Sequence, residues 1–243
     1  MSRGSHNAEK PVTRLLSRHD LDENDRSALR DLIRFGVMAD DQIARRYADP
    51  SHAAARLPLL KDGGIVFRWR VPLDDTRVYS PTALARHLVH VPGVESRKPS
   101  PTHLAHDVAL VDLADFLLQH DPNLEWRTER EVRRFLEQVA PTPRRHFGER
   151  AHRPDGVLLA DGHRIGIELE HSDKYEQRYI RISSWFVREW RLDRVRWYVD
   201  NPRIVDRLRQ VNAQHGFDRD MLIEIEPFPQ QVVFRKRPGP YEQ

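Results

Sequence analysis

The sequence predicts a mixed α/β chain built as two unequal domains, and three observations predict it. Residues 21–92 read as three short helices, a pair of strands and a last helix, whereas residues 102–226 alternate helix and strand throughout. Between them, residues 91–101 (VPGVESRKPSP) hold three Pro, one Gly and two Ser, which is linker composition. The expected division is a tail over 1–20, a helical domain over 21–92, a linker over 93–101, an α/β domain over 102–226 and a C-terminal tail over 227–243. A chain of 243 residues is long enough for two such cores.

The first domain opens with Asp22 as a helix cap, followed by a helical stripe of Leu29, Leu32, Ile33 and Phe35 and a stop at Gly36. A second helix is expected from Asp40 (DDQIARRYA), with Ile43, Ala44 and Tyr47 inward. Asp49-Pro50 then reads as a cap followed by Pro at the first helical position, opening SHAAARLPLLKDGG. The strand IVFRWRV alternates Ile65, Phe67, Trp69 and Val71 with Val66, Arg68 and Arg70, so one face is expected in the core and the other is basic. A turn at 72–76 leads to a return strand over 77–79, and Ser80-Pro81 is expected to cap a final helix.

This order is similar to a winged helix-turn-helix. In that arrangement a short helix presents its first turns to the major groove while the hairpin lies along the backbone. Ser51, His52 and Arg56 would face the groove, Arg45 and Arg46 would hold phosphates, and Arg68 and Arg70 would line the wing. Against this stand Pro58 inside the recognition helix and the acidic wing tip Asp74-Asp75. The other use of such a module is protein contact or dimerisation.

In the second domain an amphipathic helix is expected over 102–120, with Leu104, Val108, Val111 and Leu118 on one face. LEWRTERE reads as a strand running into a short helix. RPDGVLLAD and HRIGIELEHS read as strands joined at Asp161-Gly162. A long helix over 174–191 carries Tyr175, Tyr179, Ile182 and Phe186 as its apolar stripe; strand RVRWYVD, a helix over 202–215 and a strand over 221–225 complete the domain.

Composition bounds the chemistry. With no Cys there is no disulfide, thiol nucleophile, Cys-ligated zinc or iron–sulfur cluster. No run of about 18 apolar residues is present and residues 1–10 have no apolar signal core, so a cytoplasmic protein is expected. There is no Gly-rich phosphate loop, Ser183-Ser184 lacks a nucleophile elbow, and His146, His152, His163 and His171 show no zinc spacing and read mostly as surface residues. The 40 basic residues nearly balance the 37 acidic ones, but 35 of the 40 are Arg. Guanidinium grips phosphate bidentately, although a GC-rich genome would supply the same bias, so placement has to decide. Lys174, Arg178, Arg181 and Arg188 recur at helical spacing on one side of the long helix, where they could meet backbone phosphate.

The carboxylates are the sharper signal. Glu168 and Glu170 stand two apart on one strand and so share a face, and the 161–162 hairpin brings Asp155 across from Glu168. Three converging carboxylates would suit Mg²⁺ or Mn²⁺. Pro154-Asp155 followed by Glu168-Leu169-Glu170 resembles the PD-(D/E)xK motif of the restriction-endonuclease-like fold, and helix–strand–strand–strand–helix–strand is that fold's core order. Together with the N-terminal module, the chain resembles the replication-relaxation family of plasmids and other mobile elements. The matching stretches are HAAARLPLLKDGGIV, VYSPTALARHL, HDVALVDLADFL, WRTERE, RPDGVLLADG and IGIELEHSDKYEQRYIRI, and they cover most of 21–226.

The resemblance implies a protein that binds double-stranded DNA, forms a homodimer, works with replication or conjugation proteins and has no place in a membrane. Its nuclease-like domain would be degenerate and kept for dimerisation or a further DNA contact. The alternative it implies is a Mg²⁺- or Mn²⁺-dependent nickase, with Asp155 and Glu168 as metal ligands and Glu129 or Glu131 as the upstream acid. The departure is Glu170, which stands where the motif usually has Lys, and Lys174 could serve from a displaced position four residues on.

Overall fold

Two aspartates start the first helix by capping each other. In the computed structural model, which describes residues 20–69, 76–139, 152–232 and 235, Asp22 accepts from the Asp25 N–H at 2.8 Å and Asp25 accepts from the Asp22 N–H at 3.2 Å. Helix α1 (Glu23–Phe35) follows, and Gly36 ends it at φ 86°, a left-handed conformation that an L side chain resists. Strand β1 (Met38–Ala39) is too short to show alternation in a sequence. Helix α2 (Asp40–Ala44) stops well before the expected residue 48, yet Ile43 and Tyr47 are buried. Helix α3 (Pro50–Asp62) has the expected Asp49 cap on the Ser51 N–H and runs through Pro58 without ending there.

Strand β2 (Val66–Arg68) and strand β3 (Val78–Pro81) form the hairpin, and β3 also pairs with β1, giving a small antiparallel sheet in the order β1-β3-β2. Two expectations need correcting here. Ile65 lies in a bend before β2 and is buried together with Val66, while Phe67 turns out to solvent at 52% exposure beside Arg68, so the expected alternation is not met. The return strand extends through Ser80-Pro81, and the cap of helix α4 (Ala83–Leu88) is Thr82, whose side chain accepts from the Ala85 N–H. Residues 70–75, including Arg70, Asp74 and Asp75, lie outside the described residues.

Helix α5 (Leu104–His120) differs most from its expected role. The sequence predicts a one-sided amphipathic helix; instead Leu104, Val108, Ala109, Leu110, Val111, Leu113, Ala114 and Leu117 are all buried, which is apolar burial around most of its circumference. The reason is its position. Val111 packs into the core of α1 and α3, Leu104 and Val108 pack on Val37, Ala39 and Val78, and Leu113 and Leu117 pack on the large sheet. The two halves thus share α5 as a common wall. Residues 94–100 carry no helix or strand, but they are pinned: Glu95 N–H donates to Arg130 O, and the Arg130 guanidinium donates to the carbonyls of Glu95 and Arg97.

Beyond it come strand β4 (Glu125–Thr128), helix α6 (Glu129–Val139), strand β5 (Gly156–Ala160) and strand β6 (His163–Glu170). Helix α7 (Glu176–Arg188) follows, shorter at both ends than expected, and then strand β7 (Arg194–Val199), helix α8 (Pro202–His215), the short helix α9 (Phe217–Asp220) and strand β8 (Leu222–Pro227). The sheet order is β4-β5-β6-β7-β8, antiparallel across β4, β5 and β6 and parallel across β6, β7 and β8. On β6, Ile165, Ile167 and Leu169 pack towards α5. Gly166, on the other face, lets α7 lie close, because a Cβ there would sit 2.9 Å from the Phe186 ring. Among the described residues no helix is long and apolar enough to cross a membrane.

Candidate functional site

The register of β5 and β6 pairs Gly156 with Ile167, and the Asp155 N–H donates to Ile167 O at 3.0 Å. Asp155 therefore stands at the start of β5 beside the C-terminal end of β6, where Glu168 and Glu170 project. All three carboxylates line one cleft of about 2120 Å³ at that end of the sheet. Arg178, Arg181 and Arg188 line it too, as their spacing of three and seven residues on α7 requires, together with Ile182 and Trp185 and with Lys174 from the loop before the helix. Arg97, Lys98 and Arg153 are also among its lining residues.

Each carboxylate is held by partners from the chain itself. Asp155 Oδ2 accepts from the Leu169 N–H at 2.9 Å, and Oδ1 lies 3.1 Å from His106 Nε2 on α5. Glu168 Oε1 lies 2.7 Å from His152 Nε2, and the His152 ring stands edge-on to Trp185 and Phe186. Lys174 Nζ donates to Glu170 Oε2, while the Ser172 N–H and hydroxyl both donate to Oε1 at 3.2 Å. Lys174, in the loop before α7, thus reaches the carboxylates from its displaced position.

Withdrawal from water dominates the electrostatics. Asp155 keeps 20% of its side chain open to the cleft, yet its surroundings raise its pKa well above the usual carboxylate range, first through burial and then through the charge of Glu168. Burial also raises Glu168 well above its ordinary value, with Lys174 opposing and Glu170 reinforcing. The same desolvation pushes His106 down to about 3 and His152 down to about 4, favouring neutral imidazoles. Asp107, also in the cleft lining, is raised to about 7 by burial and then by the charge of Glu129.

The two candidates for the upstream acid have different surroundings. Glu129 lines the cleft and pairs with Arg97 at 2.8 Å. Glu131 is buried, closes the first turn of α6 on the Thr128 N–H and hydroxyl, and takes Arg34 at 3.1 Å. The Mg²⁺ or Mn²⁺ that the resemblance implies does not fit the carboxylates as they stand. Among the described residues no three His, Asp or Glu side chains gather as a metal-binding group, so the expected convergence on one ion is not met.

The N-terminal candidates have other partners. Arg45 donates to Asp112 at 2.5 Å and to Asp115 at 3.1 Å, and Arg46 grips Asp115 through both Nη atoms at 2.7 and 2.6 Å while its Nε reaches Asp31. Arg56, expected in the groove, is held by Asp25, a fully buried carboxylate that also accepts from the Tyr47 hydroxyl at 2.7 Å. These three arginines fasten helices together, because each faces an aspartate across a packed junction. Ser51 donates to Asp49, His52 lies 3.3 Å from Asp22, and Arg68 is exposed on β2.

His106, Asp107 and His152 are parts of the cleft that sequence reasoning misses. A signal exists for the first two: His103, His106 and Asp107 repeat at helical spacing on a helix otherwise rich in apolar residues. His152 has none, since its role depends on the ring stack with α7. Comparison with known proteins found no matching family model, no matching curated protein and no matching solved structure.

Proposed function

We propose that this chain binds double-stranded DNA through the cleft at the end of the five-stranded sheet, with the helices and hairpin of the N-terminal part acting as a winged helix-turn-helix beside it. The observation that carries this reading is the wall of α7, where Arg178, Arg181 and Arg188 face one cleft over a carboxylate floor. Neither Arg178 nor Arg181 makes an ion pair among the described residues, so their guanidinium groups are available to backbone phosphate in a way that Arg45, Arg46 and Arg56 are not. The strand and helix order supports a restriction-endonuclease-like core, and with it the resemblance to the replication-relaxation family, a homodimer and a role beside replication or conjugation proteins. On this reading the nuclease-like domain contributes a DNA contact and does not cut.

The test is duplex binding measured against salt for the native protein and for Arg178→Ala/Arg181→Ala. Removing one phosphate-binding arginine should reduce the slope of log affinity against log salt by about 1, so the double variant should show a reduction of about 2. A slope unchanged by the two substitutions would remove the cleft from the interface. Incubating supercoiled plasmid with Mn²⁺ addresses the alternative nickase that uses Asp155, Glu168 and Glu170. Nicking by the native protein that Asp155→Ala abolishes would replace the binding-only reading with an enzymatic one.

A further inference from the structure

We propose that this cleft carries its own partners for its acids: His106, His152 and Lys174 occupy oxygens of Asp155, Glu168 and Glu170 that a divalent metal would need, and make the floor a metal-independent seat for a phosphodiester strand. The inference rests on the DNA-binding reading for its ligand, but the seat itself follows from the hydrogen bonds and ion pairs of the floor.

A floor of three carboxylates would repel a polyanion. Here each carboxylate has one side-chain nitrogen partner, and these come from three places in the fold: His106 from α5 at 3.1 Å, His152 from the stretch before β5 at 2.7 Å, and Lys174 from the loop before α7. Further oxygens are already committed, Asp155 Oδ2 to the Leu169 N–H and Glu170 Oε1 to Ser172. An entering Mg²⁺ would have to displace these donors, and hard cations shed their own water reluctantly. The arrangement is also braced, since the His152 ring lies 5.6 Å from both Trp185 and Phe186, edge-on to each. With a side-chain nitrogen on each carboxylate, Lys174 on Glu170 among them, the arginines of α7 are left to set the sign of the cleft.

The experiment has two arms on the full chain. In the first, Mn²⁺ is titrated and free ion is followed by electron paramagnetic resonance. Native protein should show no saturable site at low millimolar Mn²⁺, whereas His106→Ala/His152→Ala, with the carboxylates exposed, should gain one. In the second, duplex affinity is compared in EDTA and in Mg²⁺. Native affinity should agree within about twofold, and the double variant should bind about tenfold more weakly in EDTA and recover when Mg²⁺ is added. Lys174→Met, at a partly exposed loop position, should shift both readouts the same way by a smaller factor and serves if the double variant does not fold.

A saturable Mn²⁺ site in the native protein that Asp155→Asn removes would overturn the inference, as would duplex binding that requires metal, or failure of every folded variant to gain a Mn²⁺ site. If the Mn²⁺ results come out as expected but no duplex binds under any condition, the DNA-binding reading falls and the floor closed to metal stands.

Discussion

Arg45 and Arg46 follow α2, Arg178 and Arg181 lie on α7, and in the sequence each pair looks equally ready for phosphate. The fold separates them. The first pair sits across from Asp31, Asp112 and Asp115 and joins the N-terminal helices to α5. The second pair faces a cleft. An arginine's meaning therefore lies in the acid it meets after folding, and a surplus of 35 Arg does not locate an interface. In a chain with 37 acids most guanidinium groups will find a partner, and those that line a cavity without one mark the surface to test.

The largest effect expected on the structural side of this comparison is at Asp25. It is fully buried, closes α1 onto Asp22, and accepts from both Tyr47 and Arg56. Asp25→Ala leaves a partly buried guanidinium and a buried hydroxyl without their acceptor, and with the arginine partly open to water the cost should be about 3 kcal/mol, the lower end for breaking a buried pair. Urea unfolding should show a loss of that size. A loss under about 1 kcal/mol would mean that Arg56 swings out to water, and would restore it as a group that could meet DNA.

Arg46→Ala comes next. Its guanidinium is 13% exposed and bidentate on Asp115, so truncation should cost about 2 kcal/mol, limited by Arg45, which stays on Asp115. The sharper expectation is negative: the salt slope of duplex binding should not change. Equal reductions of slope in Arg46→Ala and Arg178→Ala would erase the distinction between the two regions.

How much of this is legible in the sequence depends on whether the signal is local. The Asp22 and Asp49 caps, the Gly36 stop and the strand pair about Asp161-Gly162 all rest on residues near in sequence, and the structure has each of them. The mixed α and β composition follows. Ion-pair partners are not legible, because Arg45 and Asp112 are 67 residues apart and meet only once α5 is in place. The reach of α5 into three separate clusters is hidden for a related reason. Its apolar residues cover most of its circumference, and a helical stripe can be drawn through such a segment in several ways. Glu168 and Glu170 can be read from a two-residue spacing and Lys174 from its place four residues on, but the histidine partners come from α5 and from the stretch before β5, which no spacing connects.

The comparison can also be sharpened by pH. Asp107 has a folded pKa of about 7 against an ordinary 3.8, so the fold favours its protonated form. The stability that it contributes is fully present below about pH 4 and is lost as pH rises through about 7. His106 and His152, lowered from 6.5 to about 3 and about 4, run the other way: their contribution is present above about pH 6.5 and is lost as pH falls towards those values. Asp107→Asn should therefore gain on the native protein between about pH 5 and about pH 8 in urea unfolding, and the two should converge at the acid end. Parallel curves would show that Asp107 is better solvated than its place in the cleft implies.

The smallest effect on stability is expected at Arg68, and it bears on whether the N-terminal part touches DNA at all. Arg68 is exposed on β2 beside Phe67, itself 52% exposed, and no ion pair holds it among the described residues. Surface substitutions of this kind stay within about 0.5 kcal/mol. If the hairpin lies along a backbone as a wing, Arg68→Ala should nevertheless reduce the salt slope by about 1, the same step as one arginine of α7. At Arg68 the salt slope then changes while stability holds, and at Arg46 stability falls while the slope holds. Two substitutions in the same small sheet-and-helix unit thus distinguish an arginine that builds the surface from one that uses it. No change in slope at Arg68 would confine DNA binding to the cleft and leave the N-terminal part to hold α5 in place.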